Sequence, residues 1–137
     1  MSFEIVEPGQ WAPRAPLAEG ECSLDRKGNL VLREQDLAGI GVKEPWVVAL
    51  ASPSDFRVAV RAVRADERQM SIAVQVITRK GQDSHRRRIG LGRAIRRCGI
   101  STESVGGERY TLRIKDDQLL IVHLTEHRPK GGGQAGK

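Results

Sequence analysis

Arginine is the residue type whose number and spacing in this chain suggest chemistry. Arg79, Lys80, His85, Arg86, Arg87, Arg88, Arg93, Arg96 and Arg97 fall within one short segment. A guanidinium is a planar fork of donors that stays charged. It matches two phosphate oxygens, or the O6/N7 edge of guanine. Read as a helix, Leu91 to Cys98 puts Leu91, Ala94, Ile95 and Cys98 on one face at i, i+3, i+4, i+7 spacing. Arg93, Arg96 and Arg97 then face the other way. Read as a strand, Arg86 to Ile89 gives Arg86 and Arg88 a common face. The expected site is a basic patch of helix and hairpin, built from Arg79, Lys80, Arg86, Arg87, Arg88, Arg93, Arg96 and Arg97. A bland explanation covers part of it. Arg96 and Arg97 sit in the last helical turn, where the dipole favours cations. The charge in this window exceeds what capping requires.

The charge is also unevenly spread along the chain. Residues 1–56 carry five Lys or Arg against nine Asp or Glu, a net −4. Residues 57–115 carry fifteen against five, a net +10, and residues 116–137 carry three of each. Such asymmetry implies a face for a polyanion, with a solvating surface or an acidic protein partner as the other readings. Aromatic residues are few: Phe3, Trp11, Trp46, Phe56 and Tyr110. A stacking platform for single strands needs several exposed rings, so the composition argues against one.

Other chemistries find little support. Gly90-Leu91-Gly92 is a fragment of a dinucleotide fingerprint and reads better as a tight turn into a helix. His123 and His127 stand four apart on a strand-like segment with no cysteine pair nearby, so no metal is expected. Cys22 and Cys98 read as small core residues. Ser and Asp residues show no nucleophile–base pairing, and Glu103 and Glu108 lack a companion carboxylate motif. The expectation is a protein that is not an enzyme and needs no cofactor. No run approaches the ~18 apolar residues of a membrane span, and the two separated cysteines fit no secreted disulfide scaffold. A cytoplasmic setting, the nucleoid included, is expected.

The elements that must position the arginines follow from turn signals and alternation. Residues 1–20 read as an arm broken by Pro8, Pro13 and Pro16, with Trp11 as an anchor or as a contact for a protein partner. Residues 128–137 read as a glycine-rich tail. Residues 21–127 form the expected single domain. Cys22–Asp25 and Leu30–Leu32 flank the turn Arg26-Lys27-Gly28-Asn29. A short helix, Glu34 to Ile40, ends at Gly41-Val42. Trp46–Leu50 and Phe56–Arg61 follow as strands, with Phe56, Val58 and Val60 on one face. The second half repeats the order. Strand Ser71–Ile77 leads through a turn around Gly81–Ser84 to strand Arg86–Ile89. Helix Gly92–Cys98 stops at Gly99-Ile100, and a hairpin runs from Arg109–Ile114 to Leu119–Leu124. Units of about 21–64 and 70–125 are each too small to bury their own apolar face. They are expected to pack as a pseudo-dimer within one chain.

Leu24-Asp25-Arg26-Lys27-Gly28-Asn29-Leu30-Val31-Leu32, the helix ending in Ile40-Gly41-Val42 and the hairpin after it resemble the AbrB/MazE/SpoVT swapped-hairpin module. The second half fits the same order, with Arg96-Arg97-Cys98-Gly99-Ile100 similar to the family's Arg-Arg-x-Leu-Gly-Ile helix end. The family's proline before the helix is absent, with Arg33 and Leu91 near that place. Leu37 and Ala38 stand where the first arginine pair would be. The resemblance implies a mostly β fold in which two ββαββ halves interleave into a swapped-hairpin β-barrel. It implies a DNA-binding regulator, with contacts carried onto Arg96, Arg93 and Arg97 only. The sequence-based expectation is therefore a nucleic-acid-binding protein, DNA ahead of RNA, with oligomerisation left open. The alternatives are an RNA-binding or ribosome-associated protein, or an antitoxin-like protein–protein module.

Overall fold

The computed structural model describes Phe3 and residues 17–128, apart from the side chains of His127 and Arg128. Most of the expected N-terminal arm, Trp11 included, and the tail from Pro129 lie outside the described residues. Eight strands carry the fold: β1 (Glu21–Leu24), β2 (Asn29–Arg33), β3 (Trp46–Ser52), β4 (Arg57–Arg61), β5 (Ser71–Arg79), β6 (Gln82–Gly90), β7 (Glu108–Lys115) and β8 (Leu119–Arg128). Three short helices punctuate them: α1 (Glu34–Ala38), α2 (Gly92–Arg97) and α3 (Thr102–Val105). No helix among the described residues is long and apolar enough to cross a membrane.

The strands close into an antiparallel barrel in the order β1-β2-β6-β5-β3-β4-β8-β7. Exchanging the halves, β1 for β5, β2 for β6, β3 for β7 and β4 for β8, leaves that order unchanged. Four of the eight strand contacts are local hairpins, and four join one half to the other: β1 with β7, β3 with β5, β2 with β6 and β4 with β8. Neither half closes a sheet alone. The two halves pack as the pseudo-dimer that the repeat implied, interleaved into one barrel as the resemblance implied.

Alternation fills its interior. Leu30 and Leu32 of β2, Ile89 of β6, Val58 and Val60 of β4, Tyr110 and Leu112 of β7 and Leu120, Val122 and Leu124 of β8 all join one buried cluster. Cys22 and Cys98 are in it too, as free thiols, and burial pushes the Cys22 thiol well above its ordinary pKa. The Tyr110 hydroxyl donates to the Val105 carbonyl at 2.9 Å, tying β7 to α3. Burial, with the charges of Glu108 and Cys22, pushes its pKa up to about 12.

Three local readings need correction. Phe56 is not in β4. It takes φ 54 at the end of the short Pro53–Asp55 turn and is 42% exposed, so only Val58 and Val60 of the expected row point inward. The turn between β5 and β6 is tighter than the sequence suggested. Lys80 (φ 54) and Gly81 (φ 79) alone reverse the chain, because positive φ at both central residues matches the twist of the flanking strands. The extra residues form a bulge instead: Ile77 faces Arg86 while Thr78 faces Asp83, leaving Ser84 and His85 between. Finally, α3 occupies a stretch to which the sequence assigned no element, with the Ser101 hydroxyl accepting the Glu103 N–H.

Candidate nucleic-acid interface

The arginine segment divides into three environments. The first is built on α2. Leu91, Ile95 and Cys98 are buried, and Arg93, Arg96 and Arg97 are exposed, as the helical spacing requires. Gly99 (φ +75) ends the element.

The β1–β2 turn is pressed against the start of α2. Asp25 shapes it, accepting the N–H groups of Lys27 and Asn29 and the Asn29 side-chain amide, each at 2.9 Å. Desolvation works to raise the Asp25 pKa. The hydrogen bonds from Asn29 and Lys27 and the charge of Arg88 outweigh it and hold the carboxyl below its usual range. Leu91 donates its N–H to the Gly28 carbonyl at 2.9 Å. Gly28 has φ +87, and a Cβ there would lie 2.7 Å from the Gly92 Cα. Only glycine permits this approach. The Arg96 guanidinium folds back over Gly92, with Nη1 3.2 Å from where a Cβ on Gly92 would stand. Lys27 is thereby carried to the α2 arginines.

The result is an open groove of about 790 Å³ whose cations are Lys27, Arg93, Arg96 and Arg97. Asn29 and Gly90 lie at one edge, and Ala49, Leu50 and Ala51 of β3 contribute an apolar wall. No carboxylate and no aromatic ring is among its lining residues within the described part of the chain. The ion pairs of arginine among the described residues go to Arg33, Arg57, Arg61, Arg87, Arg109 and Arg113. The α2 arginines are not among them.

A second groove, of about 580 Å³, lies along the β5–β6 hairpin. Arg33, Arg79, His85 and Arg86 line it beside Leu17 and Ile77. Arg33 is held by the buried Asp36 (Nη2–Oδ1 3.3 Å), so Arg79 and Arg86 are its arginines without an ion-pair partner among the described residues. Arg88 stands between the grooves, with Nε 3.1 Å from Gln75 Oε1. Lys80 is exposed at the hairpin tip and lines neither groove.

Arg87 is turned to the third environment. Its neighbours in register, Leu32 and Val76, share its face of the sheet. Arg87 Nη2 lies 2.6 Å from Glu34 Oε2, and Nη1 lies 2.9 Å from Asp83 Oδ1. His85 Nδ1 adds a 2.6 Å contact to Glu34 Oε1. The hydrogen bond from Arg87, with the His85 N–H, holds the Asp83 pKa down at about 2. Glu34, Asp83 and His85 bring metal-ligating atoms within 4.8 Å of one another. The guanidinium between the two carboxylates already supplies the balancing positive charge, so the group is a clasp joining α1 to the β5–β6 hairpin.

Of the residues expected from sequence, Arg93, Arg96 and Arg97 meet in one groove and Arg79 and Arg86 in another. Sequence reasoning missed Lys27, read only as part of a turn, and Arg33. Their signal is topological: interleaving sets β2 against β6, so the first half's turn lands on the second half's helix. Comparison with protein-family models, curated proteins and solved structures finds no match to this chain.

Proposed function

We propose that this protein binds nucleic acid, duplex DNA ahead of RNA, and that its role is binding rather than catalysis. The observation that carries the proposal is the groove where Lys27, Arg93, Arg96 and Arg97 converge with no carboxylate among the lining residues. Four cations without a carboxylate partner among the described residues, held around a concave surface, fit a phosphodiester backbone. A lining whose described residues carry no aromatic ring favours backbone pairing over base stacking, and so a duplex over a single strand. The interleaved order of strands supports kinship with the swapped-hairpin DNA-binding regulators that the sequence resembles. Because α1 carries no counterpart of the α2 arginines, the contact surface has no symmetric copy elsewhere in the pseudo-dimer.

The test is fluorescence anisotropy with duplex DNA, structured RNA and single strands across a salt series. If each groove cation neutralises one phosphate, log K falls with log salt at a slope of about −3.6 or steeper on duplex DNA. Tighter binding to duplex DNA is expected. A flat salt response contradicts a nucleic-acid role. Tighter binding to structured RNA turns the reading to an RNA-binding protein.

A further inference from the structure

We infer that the two grooves are the ends of one track. The ligand, on this inference, is a duplex whose backbone runs from the α2 groove across the outer face of β2 and β6 to the β5–β6 groove. The inference rests on the nucleic-acid reading above and deepens it, by fixing the path and extent of the contact.

Strand register supplies the path. Across the β2–β6 contact, Asn29 faces Gly90, Val31 faces Arg88 and Arg33 faces Arg86. Leu30, Leu32 and Ile89 of the intervening positions are buried, so all three pairs lie on the outer face. The first pair lines the α2 groove and the third lines the β5–β6 groove. Arg88 sits halfway. Asn29 to Arg33 is four residues, a rise of about 13 Å at ~3.3 Å per residue. One DNA strand advances ~3.4 Å along the axis per phosphate, so about four phosphates span the interval between the grooves.

Charge supplies the driving force. The cations along this path without a carboxylate partner among the described residues are Lys27, Arg93, Arg96 and Arg97 at one end, Arg88 between, and Arg79 and Arg86 at the other. The carboxylates nearest the path are already engaged. Asp36 holds Arg33, and Asp25 accepts the hydrogen bonds that shape the β1–β2 turn. Glu34 and Asp83 hold Arg87.

The two extents give different salt dependences. Seven neutralised phosphates predict a slope of about −6.3, whereas the α2 groove alone predicts about −3.6. Affinity for a 16-base-pair duplex should be measured from 0.05 to 0.4 M salt for four proteins. These are the wild type, the Arg79→Ala/Arg86→Ala double variant, the Arg93→Ala/Arg96→Ala/Arg97→Ala triple variant and Lys115→Gln. Lys115 is exposed at the end of β7, lines neither groove and serves as a charge control. The track predicts that the double variant loses about 1.8 from the slope and about 60-fold in affinity at 0.1 M salt. Lys115→Gln should change neither. A double variant that matches the wild type, beside a weakened triple variant, overturns the track and leaves the α2 groove as the site. Equal losses in the double variant and Lys115→Gln also overturn it, since net charge alone then explains binding. Failure of the wild type to bind removes the nucleic-acid reading and the track together.

Discussion

Replacing Arg93, Arg96 and Arg97 together by alanine should separate binding from folding. All three side chains are exposed on α2, and no carboxylate among the described residues pairs with them. Their removal breaks no internal ion pair. Alanine is the better helix former, and exposed substitutions of this kind change stability by less than about 0.5 kcal/mol each. Binding should respond differently. Three lost phosphate contacts reduce the salt slope by about 2.7, which at 0.1 M salt is about a 500-fold loss of affinity, or about 3.7 kcal/mol. Urea unfolding and duplex anisotropy on the same preparation give both numbers. A loss below about fivefold with an unchanged slope would refute the assignment of phosphate contacts to α2. A large loss accompanied by unfolding would show that the arginines hold the helix instead.

Three further outcomes follow from the packing. Ile89 is fully buried and sits opposite both Leu30 and Val74, so Ile89→Ala should cost about 2–5 kcal/mol in urea unfolding. Gly28→Ala places a Cβ 2.7 Å from the Gly92 Cα at φ +87. It should lower stability by more than the ~1–2 kcal/mol of the left-handed conformation alone, and weaken duplex binding by displacing Lys27. Asp83 should titrate at about 2, and Arg87→Met should return it towards the ordinary 3.8, as read by carboxyl carbon chemical shifts. Because the folded value is depressed, this pairing stabilises the protein fully above the unfolded pKa. The contribution is lost as pH falls through about 2. The stability gap between wild type and Arg87→Met should thus be constant above about pH 4 and close below it.

The fold was legible because its signals are local. Alternation marked the strands, and Gly41 and Gly99 marked the helix ends with the left-handed conformation they adopt. The order of elements implied two halves packed on each other, and the resemblance implied their interleaving into a barrel. The misread positions are those where a single backbone angle decides. Phe56 looks like the first residue of an alternating strand, yet its positive φ turns the side chain out. The bulge at Ser84 and His85 has no composition signature, and it changes which side chains of β6 face the clasp. The site was legible only in part. The helical spacing separated Arg93, Arg96 and Arg97 from the core. Alternation already set Arg87 on the face opposite Arg86 and Arg88, but its ion pair was hidden, because its partner Glu34 is more than fifty residues away. Lys27 was hidden for the same reason, since only the long-range pairing of β2 with β6 brings it to α2.

The central claim is that nucleic acid docks in the groove between the β1–β2 turn and α2. The most direct measurement is a ¹⁵N-resolved titration of the protein with a 16-base-pair duplex, following backbone amides and arginine Nε–H groups. The account predicts salt-sensitive shifts concentrated at Lys27, Arg93, Arg96 and Arg97, with the Asp116–Asp117 turn of the β7–β8 hairpin unmoved. Shifts centred on that hairpin, or none in the α2 groove at saturating duplex, would contradict it.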